Sequence, residues 1–390
     1  MNIEPIPSDT MTPRQRMLAA YRRQMADRVP VSPELWDATA LAVDGRPWSE
    51  LIGPFARHPW WKTHLAAFEF FGADAWIVPS PGPTPRQAVM CLSESRFLDT
   101  DTIETQKVWR TRRGDLRAVA RTTQVYDGWL LEHPIKRFPE DMAAYEEYFF
   151  DDPVCCDLAY VREALAGVGE KGLVTPYVGT LFTSFLGSTR EGGMAQALLD
   201  LFDHEPYCRE LCRRFVEHSV RMAQSLLAST SAEVLFIESS YSAPPMVSPA
   251  LYREWDVPVL AAVAQVCHER GALLHLHHHG YVFPVLEDLI KAGVDLLCPL
   301  LPPPQGDVAD LGALKQRCAG RIALKGNVDP LGVLLKGSPG EVEEAVQRCL
   351  VAAAPGGGFI LGTADSTVVG TPFENLRAFV DAGRKAGRYG

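Results

Sequence analysis

The sequence lacks a basic excess, an apolar run long enough to span a bilayer, and the glycine-rich loops that bind nucleotides. Its 38 Lys and Arg residues against 48 Asp and Glu residues give a formal charge of −10, which repels nucleic-acid phosphates and anionic lipid surfaces. No run approaches the roughly 18 uncharged apolar residues of a transmembrane helix. No GxGxxG follows a predicted strand, and GxxxxGKS/T does not occur. We therefore expect neither a nucleic acid nor a membrane as a partner.

The nine cysteines lack a disulfide or zinc-ribbon pattern. Their number is odd, their spacing is irregular and no CxxC pair occurs, which is typical of proteins from a reducing compartment. The first residues show no apolar segment of the signal-peptide kind, so we predict a cytoplasmic location. The 390 residues are 47% hydrophobic, enough apolar material for a full core, and we expect one domain over residues 1–390.

What the sequence does contain is a regular alternation of short apolar runs with helical segments. Most of these runs have Pro or Gly at one end or both, as buried strands tend to. The runs are Val29 to Glu34, Ala73 to Val78, Leu173 to Val178, Val234 to Glu238, Ala272 to His277, Val294 to Cys298, Ile322 to Lys325 and Phe359 to Leu361. Eight such units predict an α/β fold that closes into a (β/α)8 TIM barrel. An open doubly wound sheet is the alternative.

Two segments depart from this alternation. Lys107 to Arg113 and Leu116 to Tyr126 alternate with period two and are joined by Gly114-Asp115, the pattern of a β-hairpin. We interpret residues 98–150 as a hairpin insertion between the second and third strands, either a lid over the site or a dimer contact. Residues 1–28 are predicted to be an N-terminal helical extension, because Thr12-Pro13 is typical of a helix start.

Polar residues concentrate at the C-terminal ends of the predicted strands, where barrel enzymes carry their active sites. Four of the ten histidines fall between positions 275 and 279, and strand alternation places His275, His277 and His279 on one side. A His-x-His pair offers two imidazole nitrogens from one strand end, and Asp365 after the last strand would add a carboxylate. We predict a metal site formed by His277, His279 and Asp365. The alternative is a histidine-rich turn that bonds loop carbonyls or transfers protons without a metal.

Other strand-end residues are candidates for catalytic roles. Glu238 is predicted to act as a base or a ligand, or else to pair with an arginine. His275 lies deeper along its strand and is either catalytic or a core histidine. Asn327 and Asp329 precede a proline and either orient a substrate or make a local turn. Cys298 is left unassigned, because a cysteine ending an apolar strand is more often a small buried hydrophobe than a thiolate ligand.

Several motifs, in their order along the chain, resemble the uroporphyrinogen decarboxylase superfamily, which includes the corrinoid-dependent methyltransferases. The motifs are HHHG at 277–280, GVDLLCPL at 293–300, LKGNVDP at 324–330, GGFIL at 357–361 and TPFENLRAFVDA at 371–382. RVPVSPELW at 28–36 and HPIKRFPEDM at 133–142 resemble the N-terminal half of that superfamily. The resemblance implies a (β/α)8 barrel and leads us to expect a homodimer.

The methyltransferase branch that the chain resembles holds zinc through a His-x-Cys-Gly after the fifth strand and a Cys before the last helix. Here those positions are His277, His279 and Asp365, so histidine and aspartate replace both thiolates. This harder ligand set suits oxygen rather than sulfur substrates. The resemblance thus implies zinc-dependent transfer of a methyl group between a methoxylated or methylated small molecule and a corrinoid (cobalamin) carrier, with a corrinoid protein as partner.

Two alternatives stay open. The resemblance to the decarboxylase branch would imply an enzyme without a metal. Such an enzyme has an arginine-rich N-terminal segment and a catalytic aspartate near the second strand. Here no arginine lies between Val29 and Trp36, and the second predicted strand ends in Val78-Pro79-Ser80. The chain therefore departs from the pattern of a tetrapyrrole decarboxylase. The other alternative is a non-catalytic corrinoid- or tetrapyrrole-binding protein, since one fold can host many functions.

Overall fold

The computed structural model describes residues 9–51, 56–82, 89–124, 126–150, 156–239, 241–318 and 320–389. Residues 1–8 of the predicted N-terminal extension and Val125 of the predicted hairpin lie outside this part of the chain. No helix in the described ranges is long and apolar enough to cross a membrane.

Eight of the strands lie parallel to their neighbours, in a six-stranded sheet of order β12-β11-β10-β9-β8-β7 and a two-stranded sheet β1-β6. Their interiors are buried and apolar, as expected for strands that are covered on both faces. The parallel strands are β1 Ala75–Ile77, β6 Gly172–Val174, β7 Tyr177–Thr180, β8 Val234–Glu238, β9 Leu273–His277, β10 Leu296–Cys298, β11 Ala323–Val328 and β12 Phe359–Thr363.

Helices separate these strands along the chain, except that β6 and β7 follow one another directly. They are α1 Pro13–Tyr21, α2 Asp37–Asp44, α3 Trp60–Phe71, α4 Glu140–Phe149, α5 Ala159–Val168, α6 Phe182–Thr189, α7 Gly193–Asp203, α8 Glu205–Ser229, α9 Pro249–Leu251, α10 Val257–Glu269, α11 Leu286–Ala292, α12 Leu311–Cys318, α13 Pro339–Ala353 and α14 Phe373–Ala386. Local chemistry starts several of them. Thr12 and Ser338 each form a capping box ahead of a proline in the first turn, which satisfies amide groups that the helix leaves unpaired.

The segment around Val31 lies between the edges of the two parallel sheets. Ser32 N donates to Leu361 O at 2.8 Å, and Asp74 N donates to Val31 O at 2.8 Å. The predicted first strand, Val29 to Glu34, is thus wrong in extent: it is reduced to a single parallel bridge between Val31 and Leu361. The prolines at positions 30 and 33 explain this, because each removes an amide donor from the ladder.

The predicted third strand is interrupted for the same reason. Residues 172–180 form two short strands, β6 and β7, separated by Thr175 and Pro176. Hydrogen bonds nevertheless continue on both sides of the break, because Thr175 N donates to Ile77 O and Phe236 N donates to Pro176 O, both at 2.9 Å. The interrupted strand therefore joins β1 on one side and β8 on the other.

Between β1 and β6 the chain forms an antiparallel sheet of four strands, in the order β2-β3-β4-β5. Its strands are β2 Met90–Phe97, β3 Thr102–Thr111, β4 Gly114–Thr123 and β5 Tyr126–Glu132. β3 and β4 occupy the residues predicted to form a hairpin, and Thr111 pairs with Gly114 at the turn. Gly114 has φ +130° there, a conformation that favours glycine. The sequence pattern did not indicate the flanking strand β2.

An ion cluster at the N-terminal ends of the strands holds the first helix in place. Arg16 on α1 and Arg28 after it are 0% and 2% exposed, and each donates to Asp74, at 2.6 and 2.7 Å. Asp74 also accepts the Val31 amide at 2.8 Å. Asp27 accepts from Arg16 at 2.7 Å. We call Arg16, Asp27, Arg28 and Asp74 the N-terminal ion cluster.

Candidate metal centre

Three polar side chains end neighbouring strands at the same level. Glu238 ends β8, His277 ends β9 and Cys298 ends β10. The ladder places Glu238 opposite His277 and His277 opposite Cys298. Because parallel strands in register bring their ends together, these side chains gather at the C-terminal edge of the sheet.

His277, His279 and Asp365 lie together at this edge, and we call them the outer cluster. One ligand atom from each lies within 4.8 Å of the other two. The Nε2 atoms of His277 and His279 are 2.7 Å apart, and His279 Nε2 lies 3.6 Å from Asp365 Oδ2. His277 is buried, whereas the side chains of His279 and Asp365 are 29% and 37% exposed. The cluster is therefore buried on one side and open to solvent on the other.

The chemistry of this donor set fits a divalent cation. Burial lowers the pKa of His277 well below its usual value, and the neighbouring His279 lowers it further. A neutral imidazole keeps the lone pair that a metal requires. Two imidazole nitrogens and one carboxylate oxygen, with one side left open, match the ligands of catalytic zinc sites. His277, His279 and Asp365 would hold such an ion and leave a position on the open side for a substrate oxygen.

Cys298 and His275 form a buried hydrogen-bonded chain beneath His277. The Cys298 sulfur lies 3.2 Å from His277 Nδ1 and 3.0 Å from His275 Nε2. Tyr21 Oη is 2.8 Å from the other ring nitrogen of His275, and the His275 ring lies against Trp76 with centroids 4.9 Å apart. Burial raises the pKa of the Cys298 thiol and lowers that of His275. Both His275 nitrogens are thus engaged in the core, where His275 supports the site from below.

Glu238 lies beside the outer cluster. Tyr177 Oη donates to its Oε1 at 3.2 Å, and no ion pair joins Glu238 to an arginine in the described ranges. Burial raises the pKa of Glu238, and the Tyr177 hydrogen bond and the charge of His279 oppose this rise only in part. A carboxyl group with a raised pKa keeps its proton to higher pH than an ordinary one, which suits it to delivering that proton.

Asn327 and Asp329 have local partners. Asn327 Nδ2 donates to Val308 O at 3.3 Å, and the Cys349 thiol lies 3.5 Å from Asn327 Oδ1. Asp329 accepts the Leu331 amide at 2.8 Å and caps the turn of helix that follows. These bonds stabilise the loop and its contact with α13, and none of them reaches the histidines. We therefore leave both residues out of the candidate centre.

Two residues that the sequence reasoning missed lie below the outer cluster. Glu34 and Lys325 are fully buried, and Lys325 Nζ donates to Glu34 Oε1 at 2.7 Å. Lys325 Nζ also lies 4.4 Å from the centre of a Trp76 ring. The sequence did contain a signal for this pair. Each of two apolar runs, Val29 to Glu34 and Ile322 to Lys325, ends in a charged residue, and charges that are buried need a partner.

Comparison with known proteins gives three findings. The profile of the family described as uroporphyrinogen decarboxylase (URO-D) matches residues 130–386. A methylated-thiol–coenzyme M methyltransferase of Methanosarcina mazei is 27% identical over 157 residues, which are 40% of this chain and 39% of that protein. A uroporphyrinogen decarboxylase of Coxiella burnetii is 25% identical over 142 residues, 35% of this chain and 37% of that protein. The matches thus span less than two thirds of these relatives.

Among solved structures, a methyltransferase from Methanosarcina mazei superimposes with a TM-score of 0.63. The superposition covers 96% of this chain and 98% of that chain, at 17% sequence identity. At this level of identity the likeness shows a shared fold.

Proposed function

The chain belongs to the uroporphyrinogen decarboxylase (URO-D) family, and on that premise we propose that it is a metal-dependent methyltransferase. We propose that it moves a methyl group between a methoxylated or methylated small molecule and a corrinoid carrier. The observation that carries this proposal is the outer cluster, two imidazole nitrogens and a carboxylate oxygen at a solvent-open strand edge. The M. mazei relative, named as a methyltransferase, adds support.

We also propose that the two parallel sheets close into a (β/α)8 barrel, with the antiparallel sheet as an insertion between its second and third strands. The bonds of Val31 and Ser32 to Asp74 and Leu361 support closure on one side. On the other side, closure is supported by the bonds that join Thr175 to β1 and Pro176 to β8. In this arrangement residues 1–390 form one domain, and the outer cluster lies at the C-terminal mouth of the barrel.

In this proposal His277, His279 and Asp365 hold Zn²⁺. Bound zinc acts as a Lewis acid on a substrate oxygen. Nitrogen and oxygen ligands leave the ion harder than thiolates do, so the ligand set favours an ether or phenolate substrate. The M. mazei relative, by contrast, is named for a methylated thiol.

The protein's own groups bind and orient the substrate and supply a proton. Glu238, held by Tyr177 at one oxygen, donates a proton to the oxygen that loses its methyl group, because burial raises the pKa of Glu238. The carbon–oxygen bond breaks with its electron pair left on the oxygen. The second substrate, a reduced corrinoid, supplies the electron pair for the new bond to the methyl group, so atoms and electrons balance.

A direct assay tests this function. Zinc-loaded protein is incubated with cob(I)alamin and a panel of methoxylated phenols, and methylcobalamin is followed by its absorbance. We expect methylcobalamin and the matching demethylated phenol in equal amounts, and neither product with the His277→Ala, His279→Ala double variant. A zinc-loaded wild-type protein that methylates no cobalamin from any methoxylated donor, yet does so from methylated thiols, would contradict the assignment of oxygen substrates.

Replacing Glu238 with glutamine tests its role as the proton donor. General acid catalysis typically contributes about 10²- to 10⁴-fold, so we expect kcat in Glu238→Gln to fall within that range with zinc content unchanged. The wild-type rate should decline as pH rises through the raised pKa of Glu238, because the donating form is lost, and this decline should be missing from the variant. Tyr177→Phe, which keeps the carboxyl group but removes a hydrogen bond that lowers the pKa of Glu238, should keep the decline and move it to higher pH. An unchanged rate and pH profile in Glu238→Gln would exclude the role.

The decarboxylase alternative has its own support, because the family and the C. burnetii relative carry that name. It predicts release of CO₂ from uroporphyrinogen at equal rates by the wild type and the double histidine variant. The missing arginines between Val29 and Trp36 disfavour it, since a polyanionic substrate requires positive charge. A non-catalytic binding protein would instead show tetrapyrrole absorbance after purification, with no turnover.

A further inference from the structure

One carboxylate oxygen of Glu34 is buried without a hydrogen-bond partner among the described residues. Its Oε1 accepts from Lys325 Nζ at 2.7 Å, and both side chains are 0% exposed. Its Oε2 is also buried and has no hydrogen-bond partner among the residues that the structure describes. Leaving a buried carboxylate oxygen unpaired is costly, and such atoms in native structures usually contact a water or an ion.

The surroundings of Glu34 supply further ligand atoms. One atom each from Glu34, His277 and Cys298 lie within 4.8 Å of one another, and all three residues are buried. We call these residues the inner cluster. It shares only His277 with the outer cluster, and the two ring nitrogens of His277 have different neighbours. Nδ1 lies 3.2 Å from the Cys298 sulfur, whereas Nε2 lies 2.7 Å from His279. The His277 ring therefore lies between the two clusters.

The composition of the inner cluster favours a cation. Carboxylate, imidazole and thiolate are the three ligand types that zinc binds in proteins. The Lys325 ammonium bonds one oxygen of Glu34 and leaves the other available. A thiolate ligand selects thiophilic ions such as Zn²⁺, Cd²⁺ and Co²⁺ over Mg²⁺ and Ca²⁺.

We propose that Glu34, His277 and Cys298 form a second, inner position for a thiophilic divalent cation. Binding converts the Cys298 thiol to a thiolate and releases one proton to solvent, with no change of oxidation state. The inner position shares His277 with the proposed metal centre but does not depend on methyl transfer. It assigns a ligand role to Glu34, which the sequence reasoning left without a role, and to Cys298, which it left unassigned.

Cobalt binding distinguishes the inner position from the outer one, because a thiolate bound to Co²⁺ gives an intense near-ultraviolet charge-transfer band and nitrogen or carboxylate ligands do not. Metal-free protein is titrated with Co²⁺ alone. We expect the band in the wild type, its loss in Cys298→Ser, and its retention in Asp365→Asn, which changes only the outer cluster. Cys267→Ser, at another fully buried cysteine, is the matched control and should keep the band.

A second variant tests whether the Glu34 carboxylate is a ligand. Glu34→Gln keeps the shape of the side chain, and we expect it to weaken formation of the cobalt band at least 10-fold. Thermal unfolding of each variant identifies any loss of fold, and Cys298→Ser, which differs by one atom, keeps the test available if Glu34→Gln fails to fold.

The outcomes separate the two proposals. Cobalt that binds without a thiolate band and is lost in Asp365→Asn would overturn the inner position and leave the outer metal centre standing. A band that persists in Cys298→Ser would also overturn it. A band that is lost in Cys298→Ser, with the same amount of cobalt bound in the wild type and Asp365→Asn, would support the inner position and contradict the outer one. If a buried water rather than a cation contacts Glu34, cobalt should bind without the thiolate band, which is the first of these outcomes.

Discussion

The His277→Ala, His279→Ala double variant is expected to be purified without metal, whereas the wild type carries at least one divalent ion per chain. Both proposed clusters lose a ligand in this variant, since His277 belongs to each. Changes around a metal ligand already cost about 10- to 100-fold in affinity, and removing two ligands costs more. The measurement is elemental analysis after growth with zinc and dialysis against buffer.

His268→Ala provides the control for this experiment. His268 is an exposed histidine that bonds the buried carboxylate of Asp295, and it lies in neither cluster. We expect its metal content to equal that of the wild type. A wild-type protein that stays metal-free after dialysis against excess zinc would exclude the proposed metal centre and return His277 and His279 to hydrogen-bonding or proton-transfer roles.

Replacing Asp74 with alanine is expected to destabilise the protein more than any surface change. Asp74 is 1% exposed and accepts from Arg16, Arg28 and the Val31 amide. Removing one partner from a buried charge pair typically costs about 3–5 kcal/mol, because the remaining charges stay buried without compensation. Urea unfolding should show this decrease in the free energy of unfolding, with cobalt binding by the folded variant unchanged.

An exposed ion pair gives the matched comparison. Glu217→Ala breaks the Arg213–Glu217 pair on α8, in which both side chains are more than half exposed, and such pairs contribute about 0–1 kcal/mol. An equal decrease in the free energy of unfolding of Asp74→Ala and Glu217→Ala would show that the buried N-terminal ion cluster stabilises the fold no more than an exposed ion pair does.

The same cluster gives stability a dependence on acid. Burial acts to raise the pKa of Asp27, but the Arg16 hydrogen bond and the amides of Met11 and Thr10 lower it well below its usual range. A carboxyl whose folded-state pKa is lowered stabilises the fold above its unfolded-state pKa of about 4. This contribution is lost as the pH falls toward the lowered value.

The outer cluster could be predicted because the C-terminal ends of parallel strands meet at one edge of the fold. Strand alternation places His275 and His277 on one side of β9, and the end of the last strand fixes the level of Asp365. Glu34 and Lys325 were missed because their bond joins positions 291 residues apart, and hydrophobic periodicity carries no information on such pairs. The residues of the N-terminal ion cluster were missed for the same reason.

Where the strand prediction was wrong, local chemistry explains it. Proline at positions 30, 33 and 176 interrupts the ladder although the runs are apolar. Hydropathy detects burial but does not detect a missing amide donor. Asp329 shows the related ambiguity of function, since the same Asp-Pro pair that could hold a substrate also caps a helical turn.

The position of the His277 ring makes the inner and outer clusters thermodynamically linked. Neutral imidazole has one lone pair and one N–H, so a cation on either nitrogen leaves the proton on the other, and a second cation must displace that proton to solvent as well as bear the repulsion of the first. Occupancy of either position should therefore weaken the other, and the factor is the same in both directions. Such negative cooperativity would make the protein respond to the ratio of competing metal ions, so that a thiophilic ion seated at Cys298 acts as an antagonist of the ion at Asp365.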